Sequence, residues 1–329
     1  MIYIHGMGHF HPDNIIDNKF LEELDIGTSD EWILERVGIK ARRTILPLDY
    51  LRETKNKDPS LAHEASLLTN AQTAAEAAKM ALERAGLKPK DIGMVISGSC
   101  TPQNVCPAEA CSIAMECEIE APAFDINSAC SSLGAQLNLI NKMDKDSLPD
   151  FILLTHPENN TRSIDYSDRS AAVLWGDCSS ALVISTKIPS PYVVTETSFH
   201  SSPKNWQKVG FPVAGHFRQD GRTVQTFAIK RSLSLIREMR EHIPGEKAER
   251  VKFIGHQANL MMLNSVCNLA EIKPENHLYN VDMFGNCGAA GAASVLSQNW
   301  GRFTPGDFIT FTIVGAGLSW AALLIEVRS

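Results

Sequence analysis

Two hydrophobic periods alternate along the chain. From Asn70 to Ala85 the residues are rich in Ala, Met and Leu, and Gly86 follows, which predicts a helix closed by a C-cap glycine. Compact apolar runs with polar borders predict buried strands: Ile92 to Gly98, PAFDIN just ahead of Cys130, Phe151 to Thr155 and Ala181 to Thr186. From Cys130 to about Met143 the pattern turns helical. Thr226 to His242 reads as an amphipathic helix, with Phe227, Ile229, Leu233, Ile236 and Met239 set among charges. Val251 to Gly255 then predicts a strand that runs into a helix bearing Leu260, Met261, Leu263 and Val266. Phe308 to Val314 and Ala322 to Val327 predict closing strands. Such alternation indicates an α/β protein with largely buried sheets. Two polar stretches, Asp49 to Ala62 and Ser198 to Thr223, read as exposed insertions.

Composition narrows the function. A length of 329 residues with 44% hydrophobic content supports a large core, as two domains or as two halves around one core. A net charge of −7 argues against a nucleic-acid binder, which needs clustered positive charge. No run approaches the ~20 apolar residues of a membrane span, and MIYIHGMGHFHPDN lacks the basic-then-apolar order of a signal peptide. A cytoplasmic protein with free thiols is the expectation. The eight cysteines show no CxxC pair, so no metal site is expected.

Three segments carry candidate chemistry. In FDINSACSSLGA a strand gives way to a helix near Cys130, where unsatisfied N–H groups and the helix dipole favour a thiolate. Alone, Cys130 reads equally as a buried thiol in a tight turn. In FIGHQANLMML a strand delivers His256 to a polar turn, a position for proton transfer or hydrogen bonding, or for a structural histidine. In NVDMFGNCGAAGAAS, Asn286 lies in glycine-rich surroundings that allow close approach, or that simply make a turn. VGAGLSW forms a glycine turn whose backbone N–H groups suit half of an oxyanion hole.

In combination these segments resemble the β-ketoacyl-acyl-carrier-protein synthase III family, thiolase-fold condensing enzymes, over essentially the whole chain. TSDEWILERVGIKAR from Thr28, PAEAC from Pro107, FDINSACSS, DRSAAVLWGDCSSA from Asp168, GHQANL, FGNCGAA and GAGLSW carry the resemblance. It implies a five-layer αβαβα fold of two similar halves, residues 1–187 with the nucleophilic cysteine and 188–329 with the histidine and asparagine. It implies a homodimer and thioester substrates, on coenzyme A or acyl carrier protein, with no cofactor. Cys130 would accept an acyl group. His256 and Asn286 would stabilise the enolate left by malonyl decarboxylation. The backbone N–H groups of Cys130 and Ala316 would form the oxyanion hole. Trp32, Arg36 and Arg169 match residues that bind coenzyme A.

Four departures bear on substrate. Met261 follows HQANL where housekeeping members carry an arginine for carrier docking, and the basic cluster Arg36, Lys40, Arg42 and Arg43 is a candidate replacement. Cys106 stands where those enzymes often place a phenylalanine across the dimer, which implies a longer or bulkier acyl chain. The glycine turn reads GAG where three glycines are common. The Asp49 to Ala62 insertion looks longer, and Ser198 to Thr223 shorter, than in the housekeeping enzymes, which suggests a specialised paralogue. Alternatives are an acyltransferase or non-decarboxylative condensing enzyme, a non-catalytic partner subunit, against which all three polar residues count, and a cysteine hydrolase.

Overall fold

The computed structural model describes residues 1–329. Nine strands form one continuous sheet. Their spatial order is Val251–Gly255, Phe308–Gly315, Ser319–Val327, Tyr192–Ser201, Ile2–Phe10, Cys178–Ser185, Ile152–Glu158, Met94–Ser97 and Ala123–Asp125. The four strands at one end follow residue 187 in sequence, and the five at the other precede it. The two groups join only where Ile2, Tyr3 and Ile4 pair antiparallel with Val194, Val193 and Tyr192.

Helices complete the layers. Asn70–Ala85 covers the outer face of the strands Ile2–Phe10 and Cys178–Ser185, with a capping box between Thr69 and Gln72 at its start and Gly86 at φ 67° closing it. Its buried stripe is mostly alanine, with Ala71, Ala74, Ala77, Ala78 and Ala81, so it lies close on the sheet. Gly221–Arg240 covers Phe308–Gly315 and Ser319–Val327 and packs against Leu260–Leu269. Between the two strand groups lie the helices Ser132–Ile140 and Ala290–Gln298, which touch strands of both. The result is the αβαβα stack. Its main core draws Ile4, Leu137, Leu154 and Leu182 from one half and Val295, Phe311 and Leu323 from the other. Each such side chain contributes about 1.5–3 kcal/mol when fully buried.

Gly134 sets the closeness of this centre. A Cβ there would lie 2.2 Å from the Cβ of Ala321, so only glycine lets the central helix approach the strand Ser319–Val327 this far. The segment Asp49 to Ala62 corrects the expectation of an exposed insertion. It forms the helices Leu48–Thr54 and Pro59–Ala65 and buries Leu51, Asn56 and Ala62. Asn56 is fully satisfied by donating to the carbonyls of Arg162 at 2.8 Å and Ile164 at 2.9 Å, so a polar sequence packs inside. No helix is long and apolar enough to cross a membrane.

Candidate active site

Cys130 lies in a tight link between strand and helix. Ala123–Asp125 ends, the chain turns through Asn127 to Ser131, and Ser132–Ile140 begins. The turn places Ala129 at φ 49°, a left-handed conformation that costs a non-glycine residue about 1–2 kcal/mol. Two hydrogen bonds hold it: the Ala129 N–H donates to Asn127 Oδ1 at 2.8 Å, and Ser132 Oγ donates to the Ala129 carbonyl at 2.7 Å. Cys130 therefore precedes the first helical residue by two, close to the dipole's positive end.

Two side chains act on its sulfur. Cys100 Sγ lies 3.7 Å from Cys130 Sγ, and His256 lines the same cavity as Cys130. The Cys100 hydrogen bond, then that of His256 and its charge, hold the Cys130 thiol well below its ordinary value, although burial pushes the other way. Cys100 moves up in response, because its proton is engaged with Cys130 and it is desolvated. Behind it lies Glu158, fully buried, with both carboxylate oxygens accepting the Cys100 N–H at 3.0 and 3.1 Å and Oε1 accepting the Ala289 N–H at 3.1 Å. Burial, and then the nearby Cys130 thiolate, push Glu158 well above the usual carboxylate range.

His256 directly follows the strand Val251–Gly255 and is buried, and its Nδ1 has no hydrogen-bond partner. Gln257 braces the turn, donating to the Gly255 carbonyl at 2.7 Å and accepting the Asn280 N–H at 3.1 Å. Asn286 is fixed more tightly. Its N–H donates to the Leu174 carbonyl at 2.7 Å, its carbonyl accepts the Gly176 N–H at 3.1 Å, and its Oδ1 accepts the Gly288 N–H at 3.0 Å. That last bond orients the amide so that Nδ2 is the group left to donate. Gly285, at φ 69°, makes the turn possible, since a Cβ there would sit 2.6 Å from the Leu174 carbonyl oxygen.

The glycine turn closes the site. Ser131 Oγ and Ser319 Oγ lie 2.8 Å apart, and Ser319 Oγ donates to the Ala316 carbonyl at 2.9 Å, tying the turn to the Cys130 loop. Two cavities meet at Cys130. One, of about 310 Å³, holds Cys130, His256, Asn286 and Ala316 and runs to Trp32 and Arg36. The other, of about 730 Å³, runs past Cys100 and Ala316 to Trp206, Phe211 and Phe217. Arg169 stacks on the Trp32 ring, its guanidinium 4.9 Å from the ring centroid, and Arg36 lies 5.9 Å from it. Trp32, Arg36 and Arg169 thus sit together.

Two of the residues singled out in the sequence lie away from these cavities. Cys106 is exposed and lines neither cavity. Arg42 does not belong to a basic docking face. It is fully buried, donates to the Val173 carbonyl at 2.6 Å and to Asn18 Oδ1 at 2.6 Å, and burial lowers its guanidinium to about 9. The sequence reading missed Cys100 and Glu158. The available signal was topological: Met94–Ser97, Ala123–Asp125 and Ile152–Glu158 are mutually parallel, so the residues at their carboxyl ends converge on one edge.

The 3-oxoacyl-(acyl-carrier-protein) synthase III family model matches residues 124–203, and its C-terminal companion matches residues 246–327. The β-ketoacyl-(acyl-carrier-protein) synthase III of Aquifex aeolicus strain VF5 is 30% identical over 325 residues, covering 98% of each chain. That of Coxiella burnetii strain RSA 493 is 27% identical over 340 residues, again with 98% of each covered. The crystal structure of the Aquifex aeolicus enzyme superposes with a TM-score of 0.86 at 28% identity, over 99% of this chain and 100% of that one. With full-length sequence and structural agreement around a thiol, an imidazole and an amide that share one cavity, the chain belongs to the 3-oxoacyl-(acyl-carrier-protein) synthase III family of condensing enzymes.

Proposed function

We propose that the protein catalyses a decarboxylative Claisen condensation in fatty acid or secondary-metabolite synthesis, through an acyl-enzyme on Cys130. The carrying observation is the common cavity of Cys130, His256, Asn286 and Ala316, with the Cys130 thiol drawn well below its ordinary value by the Cys100 thiol. The thiolate attacks an acyl thioester, and the N–H groups of Cys130 and Ala316 stabilise the tetrahedral oxyanion. The carrier leaves as its thiol. A malonyl thioester then enters, with its carbonyl between His256 and Asn286 Nδ2. Carbon dioxide departs, the two donors hold the enolate, and the carbanion attacks the acyl-Cys carbonyl. The β-ketoacyl thioester leaves and the thiolate returns, a ping-pong cycle. Asn286 donates without abstracting a proton, which suits an enolate already formed by loss of carbon dioxide.

Trp32, Arg36 and Arg169 are proposed to bind the nucleotide end of coenzyme A through stacking and phosphate pairing. Residues 1–187 would supply the nucleophile and residues 188–329 the two donors, in a cytoplasmic homodimer that uses coenzyme A or acyl-carrier-protein thioesters. Exposed Met261 gives no cation to an acidic carrier there. A second reading, condensation of two acyl chains without decarboxylation, draws on the two cavities that meet at Cys130.

The test is intact-mass spectrometry after incubation with a panel of acyl-coenzyme-A thioesters. Wild type gains one acyl mass and Cys130→Ala gains none; equal acylation of the variant would overturn the assignment. Release of carbon dioxide only with a malonyl thioester separates the first reading from the second.

A further inference from the structure

A second group of reactive side chains lies outside the cavities described. His11 follows the strand Ile2–Phe10, Cys178 opens the strand Cys178–Ser185, and Cys287 sits in the turn ahead of the helix Ala290–Gln298. Their donor atoms all lie within 4.8 Å of one another. Cys178 Sγ is 3.8 Å from His11 Nε2, across 167 residues of sequence. Both cysteines are buried, at 0% and 1% exposure, and His11 is half-buried. We propose that His11, Cys178 and Cys287 form a binding site for zinc(II).

The geometry fits that ion. Zinc–sulfur bonds of about 2.3 Å and zinc–nitrogen bonds of about 2.0–2.1 Å in a tetrahedron set the ligands roughly 3.5–3.8 Å apart. The three atoms need close by less than an ångström on average to reach this. The imidazole is already oriented, because its ring stacks on Phe284 with centroids 3.7 Å apart. Each sulfur also lies against a backbone carbonyl: Cys178 Sγ is 3.4 Å from that of Ser179, and Cys287 Sγ is 3.4 Å from that of Phe284. In the bound state there are two thiolates, one neutral imidazole and a divalent cation, with any remaining thiol proton passing to solvent. That assembly is electrically neutral, which a buried site requires. A monovalent copper ion would leave a net negative charge, so charge favours zinc. With three protein ligands, a water would complete the tetrahedron. The CxxC rule could not find this site, because the chain brings its ligands from three distant segments.

Cys287 adjoins Asn286, so the metal would tie the Asn286 turn to two strands of the sheet.

Purified full-length protein, reduced, stripped with a chelator and then incubated with excess zinc(II), should retain one equivalent of zinc after desalting. Cys178→Ser and His11→Leu should each weaken zinc binding by more than roughly 10-fold, measured by competition with a chromogenic chelator. Cys267→Ser, far from the cluster, should not. Cobalt(II) added to wild type should give thiolate-to-metal charge-transfer absorption, a readout that needs no variant to fold. Zinc retention that persists in Cys178→Ser, or that disappears in Cys130→Ala instead, would overturn the proposal. So would wild type that binds neither ion yet loses two mass units to a Cys178–Cys287 disulfide on mild oxidation.

Discussion

At the scale of single residues, the thiol of Cys100 is the feature that distinguishes this site. Its sulfur lies 3.7 Å from that of Cys130 and its N–H donates to Glu158, so a second thiol borders the proposed nucleophile. Cys100→Val removes that thiol and leaves His256. The pH midpoint for alkylation of Cys130, followed by site-resolved mass spectrometry, should rise by about one to two units toward the ordinary thiol value, since a hydrogen bond to a charged group contributes about 1.5–3 kcal/mol. An unchanged midpoint would show that His256 alone sets the thiolate. Cys130, His256 and Asn286 could be singled out from sequence because each follows a recognisable strand-and-turn pattern within a family motif. Cys100 and Glu158 could not. SGSC and HPENN look like ordinary strand ends until the sheet order puts them side by side.

Among the elements, the central helix Ser132–Ile140 links packing to chemistry. Its amino end carries the Cys130 turn, and Gly134 lets it touch Ala321. Gly134→Ala should destabilise the protein by about 1–3 kcal/mol in denaturant unfolding despite the better helix propensity of alanine, and should slow acylation by displacing the turn. Ala321→Gly in the same chain should restore most of both; a single variant as stable as wild type would show that the helix can shift freely. The strongly periodic elements were legible in sequence, among them Asn70–Ala85 and Phe308–Gly315. The strand Ile2–Phe10 was not, because His5, Gly6, Gly8 and His9 interrupt its apolar run. Tyr192–Ser201 was missed as well, since its second half is only partly covered and polar. The buried Asn56 and Arg42 defeat any reading in which polar means exposed, because only tertiary contacts supply their partners.

For the whole molecule, buried histidines govern acid stability. His156 is fully buried between Gln136 Oε1 at 2.9 Å and Ser180 Oγ at 3.2 Å, and burial lowers it from 6.5 to about 3. His9 and His277 are lowered to about 4, in each case chiefly by burial. A lowered imidazole favours the neutral native form, so its contribution is complete above the unfolded value of 6.5. As pH falls below that, each such histidine costs about 1.36 kcal/mol per unit until its native value is reached. His156→Gln should remove one proton's worth of slope from unfolding free energy against pH in that window, and an identical slope would contradict the assignment. Chain-length choice also belongs to this scale. If the protein is a homodimer, exposed Cys106 is available to a partner's acyl pocket, and Cys106→Phe should shift preference toward short primers. Unchanged preference in a panel of acyl donors would sink that idea.

The joint at Tyr192–Val194 has a topological consequence. On one side that short stretch pairs with Ile2 to Ile4, and on the other with Ile325 to Val327, so both ends of the sheet's chain path flank the same strand. A circular permutant that links Ser329 back to Met1 and opens between Lys187 and Pro191 preserves every rung of the sheet. It only exchanges which half is synthesised first. The fold is a closed loop in space, and the order of its halves along the polypeptide is independent of what holds them together.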